Sequence, residues 1–141
     1  MRHMRRGRRS SGQALAELGI IIVLTVSLAM MVIEFGRAWM IVNMITHAAR
    51  DGGRAAAVTP TANRAPDGTI LDTSAIQTRV MDTIETVMDP STITGVVVGQ
   101  STVGGIPLVT VTINGAVPYL FGFLGTDFNV ERSVSFRDEG R

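Results

Sequence analysis

The apolar and polar positions change period along the chain, and each change marks an element. Residues 18–33, LGIIIVLTVSLAMMVI, carry no charge, and their weak polar interruptions are Thr25 and Ser27, both able to bond back to helix carbonyls. Further on the pattern becomes one-sided. Met40, Ile41, Met44, Ile45, Ala48 and Ala49 recur at three-and-four spacing, opposite Asn43, Thr46, His47, Arg50 and Arg54, as on a helix that lays one face on a core. A single helix over residues 13–58 is predicted, about 68 Å long from Ala14 at the standard rise and about twice a hydrocarbon core. Gly52-Gly53 should weaken it and Pro60 should end it. Its first half, residues 17–36, is the membrane-spanning candidate, and the remainder is stalk or packing surface.

Residues 59–73 show no periodicity and contain Pro60, Asn63, Pro66 and an Asp67-Gly68 turn, the spelling of an exposed connection. Ser74 with Gln77 three positions on reads as a capping box. Ile76, Val80, Ile84, Val87 and Met88 then form the apolar stripe of a short helix closed before Asp89-Pro90. Beyond it the period falls to two. Residues 92–98 are β-branched but for Gly95, residues 108–114 alternate, and Val130, Val134 and Phe136 alternate with Glu131, Ser133 and Ser135. Residues 99–105 are the expected hairpin loop. Arg132 falls on the apolar side of the third strand, which suggests an edge position or a paired charge. The predicted class is α+β: a long N-terminal transmembrane and stalk helix, then a short helix packed on a small three-stranded antiparallel sheet over residues 74–141.

Composition agrees with a membrane segment, since 45% of the 141 residues are apolar. The formal charge of +1 conceals an asymmetry: Arg2, Arg5, Arg6, Arg8 and Arg9 precede Gly12, and no acidic residue does. Without that leader the chain is net acidic, which removes the basis for nucleic acid as a partner. The same arginines predict a cytoplasmic N-terminus and an extracytoplasmic C-terminal domain, with the protein in the cytoplasmic (inner) membrane. No A-x-A-like site follows the apolar run, so the segment is expected to be retained rather than removed as a secretory signal. Met4 is an alternative start to Met1. With no cysteine, stability must come from packing or assembly.

Gly12 followed five residues later by Glu17, between a basic leader and an apolar helix, resembles the prepilin-peptidase site of type IV pilin-like proteins. Downstream, Glu34-Phe35-Gly36-Arg37 and the stretch NMITHAARDGGRAAA over residues 43–57 resemble the helix of TadE-like proteins of the tight-adherence (Tad/Flp) pilus system. The resemblance covers residues 11–58. It implies cleavage between Gly12 and Gln13, loss of residues 1–12 as the leader, and a docking role for Glu17 in subunit assembly. It also implies a pilin-like fold, and as partners a prepilin peptidase, other pilin or pseudopilin subunits, the pilus assembly platform and the lipid bilayer, with incorporation into a cell-surface pilus as one outcome.

Independently of any family, a carboxylate one turn inside an apolar helix needs the interface or a positive partner. A new amine at Gln13 would supply one. Glu34 and Arg37, at i,i+3, read as a pair near the headgroups and are possible subunit contacts. Arg50 and Arg54, beside Asp51, are candidate subunit contacts, weighed against an ordinary solvated helix end, and His47 reads as surface. Residues 117–124 are the densest aromatic patch; Tyr119, Phe121 and Phe123 are candidate contacts to membrane or partner, weighed against a loop tucked over the sheet.

No nucleophile elbow, phosphate-binding loop, metal-ligand cluster or lysine is spelled anywhere. Catalysis, cofactors, metals and small-molecule substrates are therefore not expected. Two functions remain open: a minor pilin or pseudopilin subunit cut by a prepilin peptidase, and an uncleaved single-pass membrane protein whose outer domain binds another envelope component.

Overall fold

The computed structural model describes residues 8–122 and 125–140, with side chains from residue 12 onward. Its elements, in order, are α1 (Arg8–Ala57), a 3-10 turn (Thr61–Asn63), α2 (Ser74–Glu85), a second 3-10 turn (Pro90–Thr92), β1 (Ile93–Val103), β2 (Ile106–Pro118) and β3 (Asp127–Arg137). This is the α+β arrangement that the periodicity predicts. By compactness the chain divides between Arg37 and Ala38.

Over residues 18–33 α1 is apolar all round, and its side chains are exposed on every face, Leu18, Ile20, Ile21, Val23, Leu24 and Val32 among them. Among the described residues α1 is the one helix long and apolar enough to cross a membrane. A rod with no polar face has no reason to stand in water. It starts at Arg8, before the predicted boundary, so the backbone at Gly12 and Gln13 is already helical.

The second part, from Ala38, is one-sided. Ile41, Ile45, Ala48 and Ala49 are buried with Val80 and Ile84 of α2 against Val111, Ile113 and Val117 of β2 and Val130 of β3. A satellite cluster joins Ala56, Ile70, Ile76 and Val109. Both helices thus cover one face of the sheet: the short helix as its stripe predicts, and α1 through the one-sided stretch beyond Met40. Gly52 and Gly53 do not weaken α1. A Cβ on Gly52 would run into the Val80 side chain, and one on Gly53 would stand 2.6 Å from the Phe136 ring. The pair therefore lets α1 approach α2 and β3 closely, and this packing offsets the helix-propensity cost of glycine, ~1 kcal/mol each.

Helix α2 begins one residue earlier than its capping box implies, so that Ser74 lies inside the first turn. Thr73 is the N-cap and makes no side-chain cap bond; the Asp72 carboxylate instead accepts from the Ser74 N–H at 2.8 Å. Ile76, Val80 and Ile84 are buried as predicted. Val87 lies past the helix end and is exposed, while Met88 still packs on the core.

The sheet has order β1-β2-β3, both pairings antiparallel. Its strands are longer than predicted, because the hairpin between β1 and β2 needs only Gly104 and Gly105, both at positive φ. That is the backbone of a tight two-residue turn, which glycine adopts without strain. Residues 99–103, expected in the loop, are paired instead. In β2, Val109, Val111, Ile113 and Val117 face the helices. Arg132 does sit on an edge strand, opposite Ile113, with its guanidinium returned to the Glu131 carbonyl at 2.9 Å.

The connection over residues 59–73 is only partly exposed. Arg64 is buried: Nη1 donates to Asp138 Oδ2 at 2.8 Å and to the Gly68 carbonyl at 2.9 Å, and Nε donates to the Thr59 carbonyl at 2.9 Å. Gln100 donates to the same Asp138 oxygen and to Gly68 O, and accepts from the Ile70 N–H. The end of α1, the connection, β1 and the residues after β3 are thereby tied at one place.

Candidate functional site

The candidate processing site lies on the N-terminal part of α1. Gly12 has open space where a Cβ would stand. On the same helix face, Gln13 Nε2 donates to Glu17 Oε1 at 2.9 Å, an exposed i,i+4 pair. The spacing that suggests a cut and a docking carboxylate thus brings the two side chains within one hydrogen bond in the uncut chain. The leader arginines Arg2, Arg5 and Arg6 lie outside the described residues.

Glu34 and Arg37 do form the predicted pair, Arg37 Nη2 donating to Glu34 Oε1 at 2.9 Å. Glu34 is only 1% exposed. A carboxylate so placed is stabilised by its guanidinium rather than by water.

Arg50 and Arg54 are exposed on α1. The acid between them pairs elsewhere: Arg79 of α2 donates from Nε to Asp51 Oδ2 at 2.7 Å and from Nη2 to Oδ1 at 3.2 Å. The hydrogen bond from Arg79, with added attraction from Arg54, holds the Asp51 carboxyl below its ordinary range despite partial desolvation. The sequence pattern groups Asp51 with Arg50 and Arg54 and gives no sign of Arg79, which no helical spacing connects to it. His47 is exposed.

Tyr119 and Phe121 are half-buried. The Tyr119 ring packs on Phe128 of β3 at 5.5 Å between centroids, and its N–H donates to the Thr126 carbonyl at 3.1 Å. Leu120 between them is exposed. Phe123 lies outside the described residues.

Two further features have no local signal. Arg64 and Asp138 are 74 positions apart, and no periodicity links them. An open groove of about 550 Å³ between the end of α1, the first 3-10 turn and the start of α2 is lined by Val58, Thr59, Leu71, Asp72, Ile76 and Arg79. Among the described residues no group of three or more His, Asp or Glu side chains could hold a metal.

No curated protein and no solved structure matches the chain. One family model does, and its match begins at Gly12 and ends at Arg54. It is the model of the TadE-like proteins, over residues 12–54, so the segment that carries the apolar span, the Gln13–Glu17 pair and the Asp51 cluster is TadE-like.

Proposed function

We propose that this chain is a membrane-anchored minor pilin-like subunit of Tad/Flp pilus biogenesis, cut after Gly12 by a prepilin peptidase and acting through subunit assembly. The TadE-like match points to a pilus-associated, pseudopilin-like role in a family of structural components rather than enzymes. The observation that supports the finer reading is the position of Gly12, Gln13 and Glu17 at the mouth of an all-round apolar helix.

The chemistry follows from the helix end. Cutting the Gly12–Gln13 bond creates an ammonium at Gln13 and frees the first N–H groups of the shortened helix. Both favour a carboxylate within the next turn, and Glu17 is already held there by Gln13. In lipid the same carboxylate, on its own, would be costly. A processed subunit therefore has a polarised end that attracts the complementary end of a neighbour. In this reading Arg50 and Arg54 face partner subunits, and the anchor lies in the cytoplasmic membrane with the sheet domain outside.

The uncleaved single-pass alternative draws support from one specific observation: the Gly12–Gln13 bond is inside a helix that begins at Arg8. Peptidases hold their substrates extended, so this turn must open before cleavage. N-terminal sequencing of the protein extracted from its native membrane distinguishes the two. A chain beginning at Gln13, lost on Gly12→Val substitution, is expected.

A further inference from the structure

We propose that the free edge of β1 pairs antiparallel with the same edge of a second copy of this chain, centred on Gln100, joining two three-stranded sheets into one. The inference stands on the sheet, with anchoring of both copies by α1 in one membrane, and holds whether or not Gly12 is cut.

The two outer strands of the sheet are treated differently. β3 carries Asp127, Glu131, Arg132 and Arg137, and Arg132 points to the helix-covered face from an edge, a device that discourages strand addition. Between Asp89 and Asp127 there is no charged residue at all. β1 therefore has the uncharged, β-branched character of a strand that pairs on both sides, yet among the described residues its one strand neighbour is β2.

Geometry fixes which groups are on offer. Along an antiparallel strand, the N–H and C=O of alternate residues point to opposite edges. Val96 belongs to the outward set, because its carbonyl accepts from Gln77 Nε2 of α2 at 3.1 Å. Thr102 belongs to it too, since it opposes Pro107, which has no N–H to give. The outward set over residues 96–102 is thus Val96, Val98, Gln100 and Thr102. The bulge at residues 93–95 and the Gln77 side chain protect the start of the edge. The connection meets β1 through the Gln100 side chain on the helix-covered face, and among the described residues the outward backbone groups of residues 98–102 have no backbone partner.

Side-chain complementarity selects the second copy and the register. On the face away from the helices β1 presents Val97, Gly99, Ser101 and Val103, with Val97 56% and Val103 62% exposed. A two-fold axis through Gln100 sets Val97 opposite Val103 of the second copy, twice over, and Gly99 opposite Ser101. Apolar cross-strand pairs of this kind stabilise a sheet. The contact is isologous and closes after two copies, while pairing β1 to β3 would bring Glu131 and Arg132 into the junction and leave further edges open. Confinement of both copies by their apolar helices to one bilayer raises their effective concentration, so a short edge contact suffices.

The chain has no native cysteine, which makes crosslinking clean. Full-length Gly99→Cys and Ser101→Cys are mixed in one membrane preparation and treated with a mild oxidant. A disulfide-linked dimer is expected from the mixture, and none from either alone. Thr102→Pro, which removes an outward donor and no β1–β2 bond, and Thr102→Arg, which copies the guard of β3, should each abolish it while the melting temperature is kept. The proposal is overturned by absence of a dimer from the mixture, by a dimer that survives both Thr102 substitutions, or by crosslinking of Ser101→Cys to Ser133→Cys on β3.

Discussion

At the residue scale, burial decides which side chains matter. The Asp51–Arg79 and Arg64–Asp138 pairs have similar lengths, 2.7 and 2.8 Å, but their side chains are 39% and 60% exposed in the first and 1% in the second. Exposed pairs contribute little, whereas removing one partner of a buried pair strands the other charge. Arg64→Ala should therefore cost about 3–5 kcal/mol by thermal unfolding of the detergent-solubilised chain, and Arg79→Ala should leave the transition where it was. Burial raises the affinity of Asp138 for a proton, but hydrogen bonds from Arg64, the Gly140 N–H and Gln100 outweigh it and hold the carboxyl below its ordinary range. With the folded value below the unfolded one, the stabilisation is complete above the ordinary carboxylate range and is lost as pH falls through the folded value. The stability gap between wild type and Asp138→Asn should be constant near neutrality and shrink below about pH 4. Glycine roles separate in the same way. Gly52→Ala should cost about 1–3 kcal/mol by forcing a methyl onto Val80, while Gly36→Ala, with open space around it, should be neutral or slightly stabilising. None of these residues announces itself in the sequence: Gly52-Gly53 reads there as a weak helix and Arg64 as part of a loop, because the partners that give them meaning lie on other elements.

At the element scale, periodicity is legible where one solvent faces one side. The apolar run, the three-and-four spacing beyond Met40 and the alternation in β2 each predict the element that forms, since each pattern follows from a single buried face. Ends are less legible. Strand β1 extends to Val103 because the Gly104-Gly105 turn takes up so little chain, and Gly99 and Ser101 look like loop until β2 is beside them. The start of α2 falls one residue earlier because the Asp72 carboxylate accepts from the Ser74 N–H, leaving Ser74 within the helix rather than capping it. For α1 the membrane reading has a direct consequence: an arginine at the centre of a spanning helix costs about 2.5–3.5 kcal/mol on insertion scales. Leu24→Arg should release the chain from the membrane fraction, or markedly reduce its insertion, and an unchanged membrane fraction would contradict the anchor.

For the whole molecule, the anchor rests on an apolar run with no polar face and the sheet domain on one face buried under two helices. The TadE-like match spans residues 12–54, from Gly12 into the packed part of α1. The candidate site is largely legible in the sequence, because Gly12, Gln13 and Glu17 depend on spacing along one helix. What the folded chain adds is the bond from Gln13 to Glu17 and the helical state of the Gly12–Gln13 link. The proposed role requires that the subunit be used after a cut at that link. Its most direct test is the intact mass of the protein extracted from its native membrane. A chain beginning at Gln13 is expected, with a longer precursor when Gly12 is replaced by valine. A full-length mass in the wild type, unchanged by that substitution, would contradict the proposed role.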